Sequence, residues 1–325
     1  MILVICLWLL AALSLLALGL AYRLGLEGRV IAYKFHTEEM RELAKGIVSL
    51  AAARIDAGDE DCTFHGQAWA QPLRLAPSDF GGLDDEKLKR FRAEGMVFDE
   101  LGRLNINSAY RGQLRSLGVV DDEAASAILD WRDGDDAPSP MGAESSYYRT
   151  LRPAYVCKNA PFDSVYELLL VRGFTRAVLF GADGDAVRAP DGSGDRRPAA
   201  EGLRDYLTVY GDGRINLNTA PKQVLLTIPG VTPEIADEVI GRRAGQDSLE
   251  RTEDDVPFVT FDELLEVGGV TQFVERQMEL SCVLASDTFD VRVQVADRTN
   301  SAAVHLDVVF VRGDKGAECV SWRER

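Results

Sequence analysis

A chain of 325 residues with 46% hydrophobic residues is long enough for an anchor and two or three folded units with real cores. Its formal net charge of −16 argues against nucleic acid as a partner, because phosphate binding needs a positive field. Its three histidines, His36, His65 and His305, lie far apart, and no HExxH, GxSxG or Walker loop occurs. Neither an enzyme nor a site for a small-molecule substrate is expected.

Residues 1–22 carry no charge and no proline, about the ~20 residues a helix needs to cross a bilayer. A cleaved secretory signal would have a basic leader and a shorter apolar run, and a plain single-pass anchor would be followed by a linker. Here apolar residues continue at helical spacing through Val30, Ile31, Met40, Leu43, Ile47, Leu50 and Ile55, with no proline before Pro72. The spacing predicts one helix to about residue 57, half lipid-facing and half amphipathic, ending at Gly58. Gly25, Gly28 and Gly46 are its weak points.

Residues 63–75 alternate loosely and predict a strand, Asp84 to Glu94 a short polar helix, and Met96 to Phe98 a strand. An internal repeat follows. Residues 102–132 align without gaps on 213–243 at an offset of 111, pairing Asn105 with Asn216 and Asn107 with Asn218. Residues 162–175 align on 258–271 at an offset of 96, so the joining segment is longer in the first copy. A single repetition at this distance marks a duplicated domain and not a solenoid. Each copy reads as short helices in hairpins, with Glu167-Leu168-Leu169 and Glu263-Leu264-Leu265 starting a further helix.

This pattern resembles the helix-hairpin-helix module, whose DNA-binding members present a Gly-hydrophobic-Gly turn to phosphate. Neither turn here has the second glycine, and the first runs into Asp121-Asp122-Glu123. Interaction modules fit better than DNA-binding ones.

The long joining segment of the first copy gathers Asp130, Asp133, Asp135, Asp136 and Glu144 around a Pro/Gly-rich turn. Hard oxygen ligands in a loop suit calcium, with Asp133, Asp135, Asp136 and Glu144 as the candidate ligands. The spacing is not that of an EF-hand, since Ala137 and Pro138 stand where an oxygen ligand and glycine are needed. A solvated acidic loop is the competing reading. Residues 181–200 read as an exposed linker. Thr288 to Val295 and Ala303 to Val311 predict an antiparallel hairpin, with Cys319 to Trp322 as a terminal strand. Cys62, Cys157, Cys282 and Cys319 lack metal-ligand spacing; they can form two disulfides or stay four buried thiols.

The fold class is therefore α+β: a long N-terminal helix on a small antiparallel sheet, with a large inserted helical domain holding two helix-hairpin-helix-like repeats. Its units run over residues 1–22, 23–57, 58–103, 104–180, 181–200, 201–275 and 276–325.

This arrangement resembles a type IV pilin-like subunit, and in detail the type II secretion minor pseudopilin K family. The resemblance is carried by the runs at 104–109 and 215–220 and by the acidic stretch from Asp130 to Asp136 through Gly142-Ala143-Glu144. Tyr147-Tyr148, Asn159, Pro161 and Glu167 to Thr175 add to it. It implies a peptidase-processed inner-membrane anchor, a periplasmic head, calcium in the helical domain, and assembly with minor pseudopilins I and J. Ile5, Leu9, Leu13, Leu16, Met40, Leu43, Ile47 and Leu50 are the expected partner-binding stripe. The expected role is a tip subunit that initiates or caps the pseudopilus for export of folded proteins. A membrane-anchored DNA receptor of the competence type is the alternative. No glycine precedes the apolar run, so the cleavage site is absent or upstream of Met1. Most pseudopilins carry a glutamate early in this helix; here Glu27 is the first acid and Ile5 stands near the family's position.

Overall fold

The computed structural model describes residues 1–74, 90–181, 202–299 and 302–324. Most of the expected polar helix from Asp84 and nearly all of the expected linker at 181–200 lie outside these residues.

Helix α1 runs unbroken from Ile2 to Asp56, 55 residues, straight through all four of its glycines. Its second half buries Met40, Leu43, Ala44, Ile47, Val48, Ala51 and Ile55, a stripe at steps of three and four. That stripe lies on a five-stranded antiparallel sheet ordered β1 (Leu73–Arg74), β2 (Phe91–Asp99), β7 (Thr288–Asp297), β8 (Ala303–Gly313) and β9 (Gly316–Glu324), while β3 (Leu104–Asn105) pairs with β4 (Leu207–Thr208) and β5 (Ile215–Asn216) with β6 (Cys282–Val283) as two short parallel ladders apart from it. Val97, Phe289, Val291, Val293, Leu306 and Val308 meet the helix. At Gly95 the strand leaves the helix no room for a side chain: a Cβ would stand 2.6 Å from Ile47 Cγ2.

Two readings are corrected here. Residues 63–75 are not one strand: a single 3-10 turn covers Ala68–Ala70, and only Leu73–Arg74 pair with β2. Strand β2 begins at Phe91, inside the segment expected to be helical, because its full length pairs in register with β7 from Asp297 to Phe289.

β2 and β7 are sheet neighbours, yet the whole helical head lies between them in sequence. The head has its own apolar core, separate from that of the rod and sheet. The two units meet through buried charge. Strand β7 turns Val291 and Val293 to the rod and, by alternation, Asp290 and Arg292 to the other face. Arg292 donates to Asp290 at 2.8 Å and to Asp205 at 2.5 Å, and Arg103 donates to Asp290 at 3.1 Å and pairs with Glu100. Asp99 accepts from Asn216, Thr219, Ser286 and the Leu101 amide at 2.6 to 2.8 Å. Burial pushes the Asp99 and Glu100 carboxyls up, whereas Arg292 and Arg103 outweigh burial at Asp290 and hold it below the usual range. Such networks set orientation more than net stability, since each charge is desolvated to form them.

Within the head, the duplication is visible bond for bond. Asn107 brackets Phe162, donating to its carbonyl at 2.9 Å and accepting from its amide at 2.7 Å; Asn218 brackets Phe258 with bonds of 2.9 and 2.8 Å. Arg132 donates to the Ile106 and Ala109 carbonyls, as Arg243 does to those of Leu217 and Ala220. The helices Asp122–Arg132 and Pro233–Arg243 keep the offset of 111. The 3-10 helices Val165–Leu170 and Phe261–Glu266 keep the offset of 96. The Glu-Leu-Leu pieces thus form 3-10 turns, each followed by a glycine of positive φ, Gly173 or Gly269, before the next helix begins.

All five cysteines are free thiols. Cys62, Cys157 and Cys282 are buried, and Cys319 is exposed on edge strand β9, so neither reading of the cysteines holds in full.

Candidate metal centre and partner-binding rod

The acidic loop is built from the end of helix Asp122–Arg132. Asp121 caps that helix, accepting from the Ala124 amide at 2.8 Å, and Asp122 and Glu123 in its first turn complement the helix dipole. Ile128 and Trp131 pack into the head core, which carries Asp130 inward with them until it is 1% exposed. The chain turns extended at Asp133 and folds back so that the Ser139 amide and hydroxyl both donate to Asp130. Gly142 is then pressed against the same carboxylate: a Cβ there would stand 1.9 Å from Asp130 Oδ2. Gly142→Val is expected to disrupt the loop while leaving α1 and the sheet intact. Loss of near-UV signal from Trp131 with unchanged far-UV signal is the check.

Beyond Gly142 the chain buries Glu144 completely; no ordinary hydrogen bond reaches its carboxylate oxygens, and the Cys157 thiol and the Asp136 carboxyl stand beside them as weak partners. One ligand oxygen from each of Asp130, Asp133 and Glu144 lies within 4.8 Å of the others. Burial first, and then the charges of Asp130, Asp133 and Asp136, push the Glu144 carboxyl up to about 7. A buried carboxylate without a strong donor is costly unless a cation faces it. The donor set, three carboxylates in a loop, therefore fits a hard divalent ion.

The four expected ligands are placed unequally. Asp133 and Glu144 belong to the cluster, and Asp130 joins them. Asp136 sits beside Glu144, but its Oδ1 accepts from the Ser145 amide at 3.2 Å, and its pKa is lowered by its bonds to Ser145. Asp135 is exposed and turns its carboxylate to the Ala137 amide at 2.8 Å. Two neighbours went unread as site residues. Arg172 donates to the Gly142 carbonyl at 3.3 Å and pairs with Glu123. Asn159, at φ 49°, donates to the Asp135 carbonyl, and its own buried Oδ1 has no partner. Its positive φ is set by the folded loop and leaves no mark in the sequence pattern.

The second copy's loop has no comparable orphan. Its half-buried Glu250 pairs with Arg243 at 2.6 Å and abuts His65, and Arg243 outweighs burial to hold Glu250 far below the carboxylate range. Burial and then Arg251 lower His65 to about 4. Asp254 accepts from the Gln246 amide at 2.7 Å and from the Thr252 hydroxyl at 2.7 Å. Equivalent loops thus end differently: one neutralises its own charge and the other gathers it.

The rod also divides. Ile5, Leu9, Leu13 and Leu16 are exposed, in the segment that makes α1 the one helix among the described residues long and apolar enough to cross a membrane. Met40, Leu43 and Ile47 are not available to a partner. They are buried against the chain's own sheet, and Leu50 packs partly against the same core. An amphipathic stripe has no label saying whose surface covers it. Here β2, β7 and β8 cover it.

Residues 102–180, the first copy with its acidic loop, match the family model described as Type II secretion system (T2SS), protein K. Type II secretion system protein K of Pseudomonas aeruginosa is 25% identical over 260 residues, spanning 75% of this chain and 72% of that protein. The Aeromonas hydrophila protein of the same name is 32% identical over 156 residues, 40% of this chain and 44% of its own. Among solved structures, a chain of the GspK-GspI-GspJ complex from enterotoxigenic Escherichia coli superposes with a TM-score of 0.61 at 14% identity. It covers 91% of this chain and 99% of its own, and shares the long helix, the antiparallel sheet and the additional helices. Together, the matched first repeat, the relatives and the common architecture make this chain similar to the type II secretion system protein K family.

Proposed function

We propose that the chain is the tip subunit of a type II secretion pseudopilus, initiating or capping assembly for export of folded proteins across the outer membrane. The observation that carries this reading is the charge-free, exposed start of α1, whose first acid is Glu27. In a rod bundle, an acid near the top of the apolar segment would neutralise the N-terminal amine of a neighbour; an unpaired charge inside the bilayer costs several kcal/mol. A subunit lacking that acid docks poorly beneath an existing one and is better placed as the first in line. The head adds to this, being a helical insert on the face of the sheet away from the rod.

In this reading minor pseudopilins of the I and J types pack against the exposed apolar face containing Ile5, Leu9, Leu13 and Leu16. A chain of similar fold was solved in the GspK-GspI-GspJ complex. The segment over residues 1–22 lies in the inner membrane and the head in the periplasm. Calcium occupies the cluster of Asp130, Asp133 and Glu144 and fixes the long loop of the first repeat. No catalytic step is assigned.

The test is Ile5→Glu in the full chain, with filament number and subunit order read by cross-linking in membranes. The expected result is misplacement of the subunit below the tip with fewer filaments initiated. Unchanged order and unchanged filament number would overturn the reading.

A further inference from the structure

The duplication supplies an internal control for surface composition. Two positions superpose by their hydrogen bonds and yet differ in chemistry. The Asp163 amide donates to Glu167 at 2.9 Å, and the Val259 amide donates to Glu263 at 3.0 Å. Thr175 caps its helix through the Val178 amide at 3.3 Å, and Thr271 through the Val274 amide at 3.4 Å; Ala177 and Phe273 follow at the same place. All four side chains are exposed, and Val259 and Phe273 are 63% and 64% exposed. The repeat therefore folds with an aspartate and an alanine where the second copy displays a valine and a phenylalanine. Folding does not require the apolar residues there.

Phe273 has company. Leu280, also exposed, lies seven residues on along the helix Gln272–Ser281, close to two full turns, and so shares its face. Phe273 also stands against the turn at Gly230, where a Cβ would be 3.4 Å from its ring. Val274 and Met278, on the opposite side, are the residues that the core uses.

The charge of the two repeats differs as well. Residues 122–180 hold nine acidic and six basic side chains, and the matching residues 233–276 hold twelve and four. Of those four bases, Arg242 pairs with Glu263, Arg243 with Glu250 and Arg276 with Glu279. The excess is therefore carboxylate, with Glu234, Glu238, Asp262 and Glu266 exposed on the same repeat and Asp237 paired with Lys222.

We infer that the outer face of the second repeat, anchored by Phe273 and Leu280, docks a basic polypeptide segment carrying apolar side chains of its own. Aromatic anchors supply the affinity of such surfaces, and a field of one sign selects partners of the other. An anionic lipid surface and a nucleic acid are both repelled by the same carboxylates. The inference is independent of the metal and of the place of the subunit in a filament.

The test uses the full chain in zwitterionic lipid nanodiscs and three labelled peptides read by fluorescence anisotropy. One alternates leucine and lysine, one replaces lysine by glutamate, and one replaces leucine by serine. The leucine–lysine peptide is expected to bind at least ~10-fold more tightly than either of the others. The double variant Phe273→Ser with Leu280→Ser is expected to lose about 10-fold of that affinity, with Ala177→Ser unchanged. Both substituted side chains are exposed, so an unchanged melting curve accompanies the result. Equal binding of the glutamate or serine peptide, or full affinity in the double variant, would overturn the inference.

Discussion

Removal of divalent cations with EDTA is expected to lower the melting temperature of the head by ~4 °C or more, and calcium is expected to restore it. An ion at one hundred times its Kd stabilises a folded state by about 2.7 kcal/mol, which sets that scale. The pH dependence carries a sign that a merely acidic loop would not have. The ordinary value of the Glu144 carboxyl is 4.5, and burial, followed by Asp130, Asp133 and Asp136, pushes it up to about 7. A group whose pKa is raised on folding contributes stability that is fully present below its unfolded value and lost as pH rises through its folded value. Without metal, the head should therefore melt at lower temperature at pH 8 than at pH 5. Saturating calcium should remove most of that fall, because an ion held there would face the same carboxylates. Glu144→Gln separates the two effects: the variant should be more stable than the parent in EDTA at pH 8 and should ignore added calcium. Calorimetry at two pH values, with and without metal, checks all of this. A Glu144→Gln variant that still responds fully to calcium would remove this cluster as the site.

Ile47→Asp is expected to release the sheet from the rod. Ile47 is completely buried and lies directly over Gly95, with no room between helix and strand for so much as a Cβ. An aspartate there has no cation among the apolar residues of that core, and burying it costs more than ~4 kcal/mol. Limited proteolysis should then cut near residues 57–61, leaving a membrane-retained helix and a separable remainder. The head has its own core and is joined to the sheet by buried charge, so its calcium response should survive. Leu9→Asp, in the exposed first half, should leave the detergent-solubilised fold unchanged. An Ile47→Asp chain that melts within ~2 °C of the parent would contradict the packing of helix on sheet.

Much of this architecture can be read from one-dimensional patterns, and each success has a local cause. The extent of α1 follows from uninterrupted helical spacing and the stop at Gly58. The duplication follows from paired asparagines whose amides bracket one residue of the next segment in each copy. The hairpin β7–β8 follows from alternation. What failed also has a cause. Phe91 to Glu94 look helical by composition, but the partner strand from Gln294 to Asp297 lies about two hundred residues away and decides the matter by pairing. Asp135 and Glu144 are indistinguishable as acids in a row. Burial makes one an orphan and leaves the other in water.

By itself, then, the chain's sequence determined the rod, the repeat, the acid excess and the loop that concentrates it, because periodicity, capping and self-similarity act over a few residues. Tertiary structure alone decided which half of the rod meets its own sheet and which carboxylates converge. It also decided which copy neutralises the acid of its loop and which apolar side chains stay uncovered. Those outcomes depend on desolvation and on partners far away in the chain, and neither quantity is a property of a residue and its neighbours in sequence.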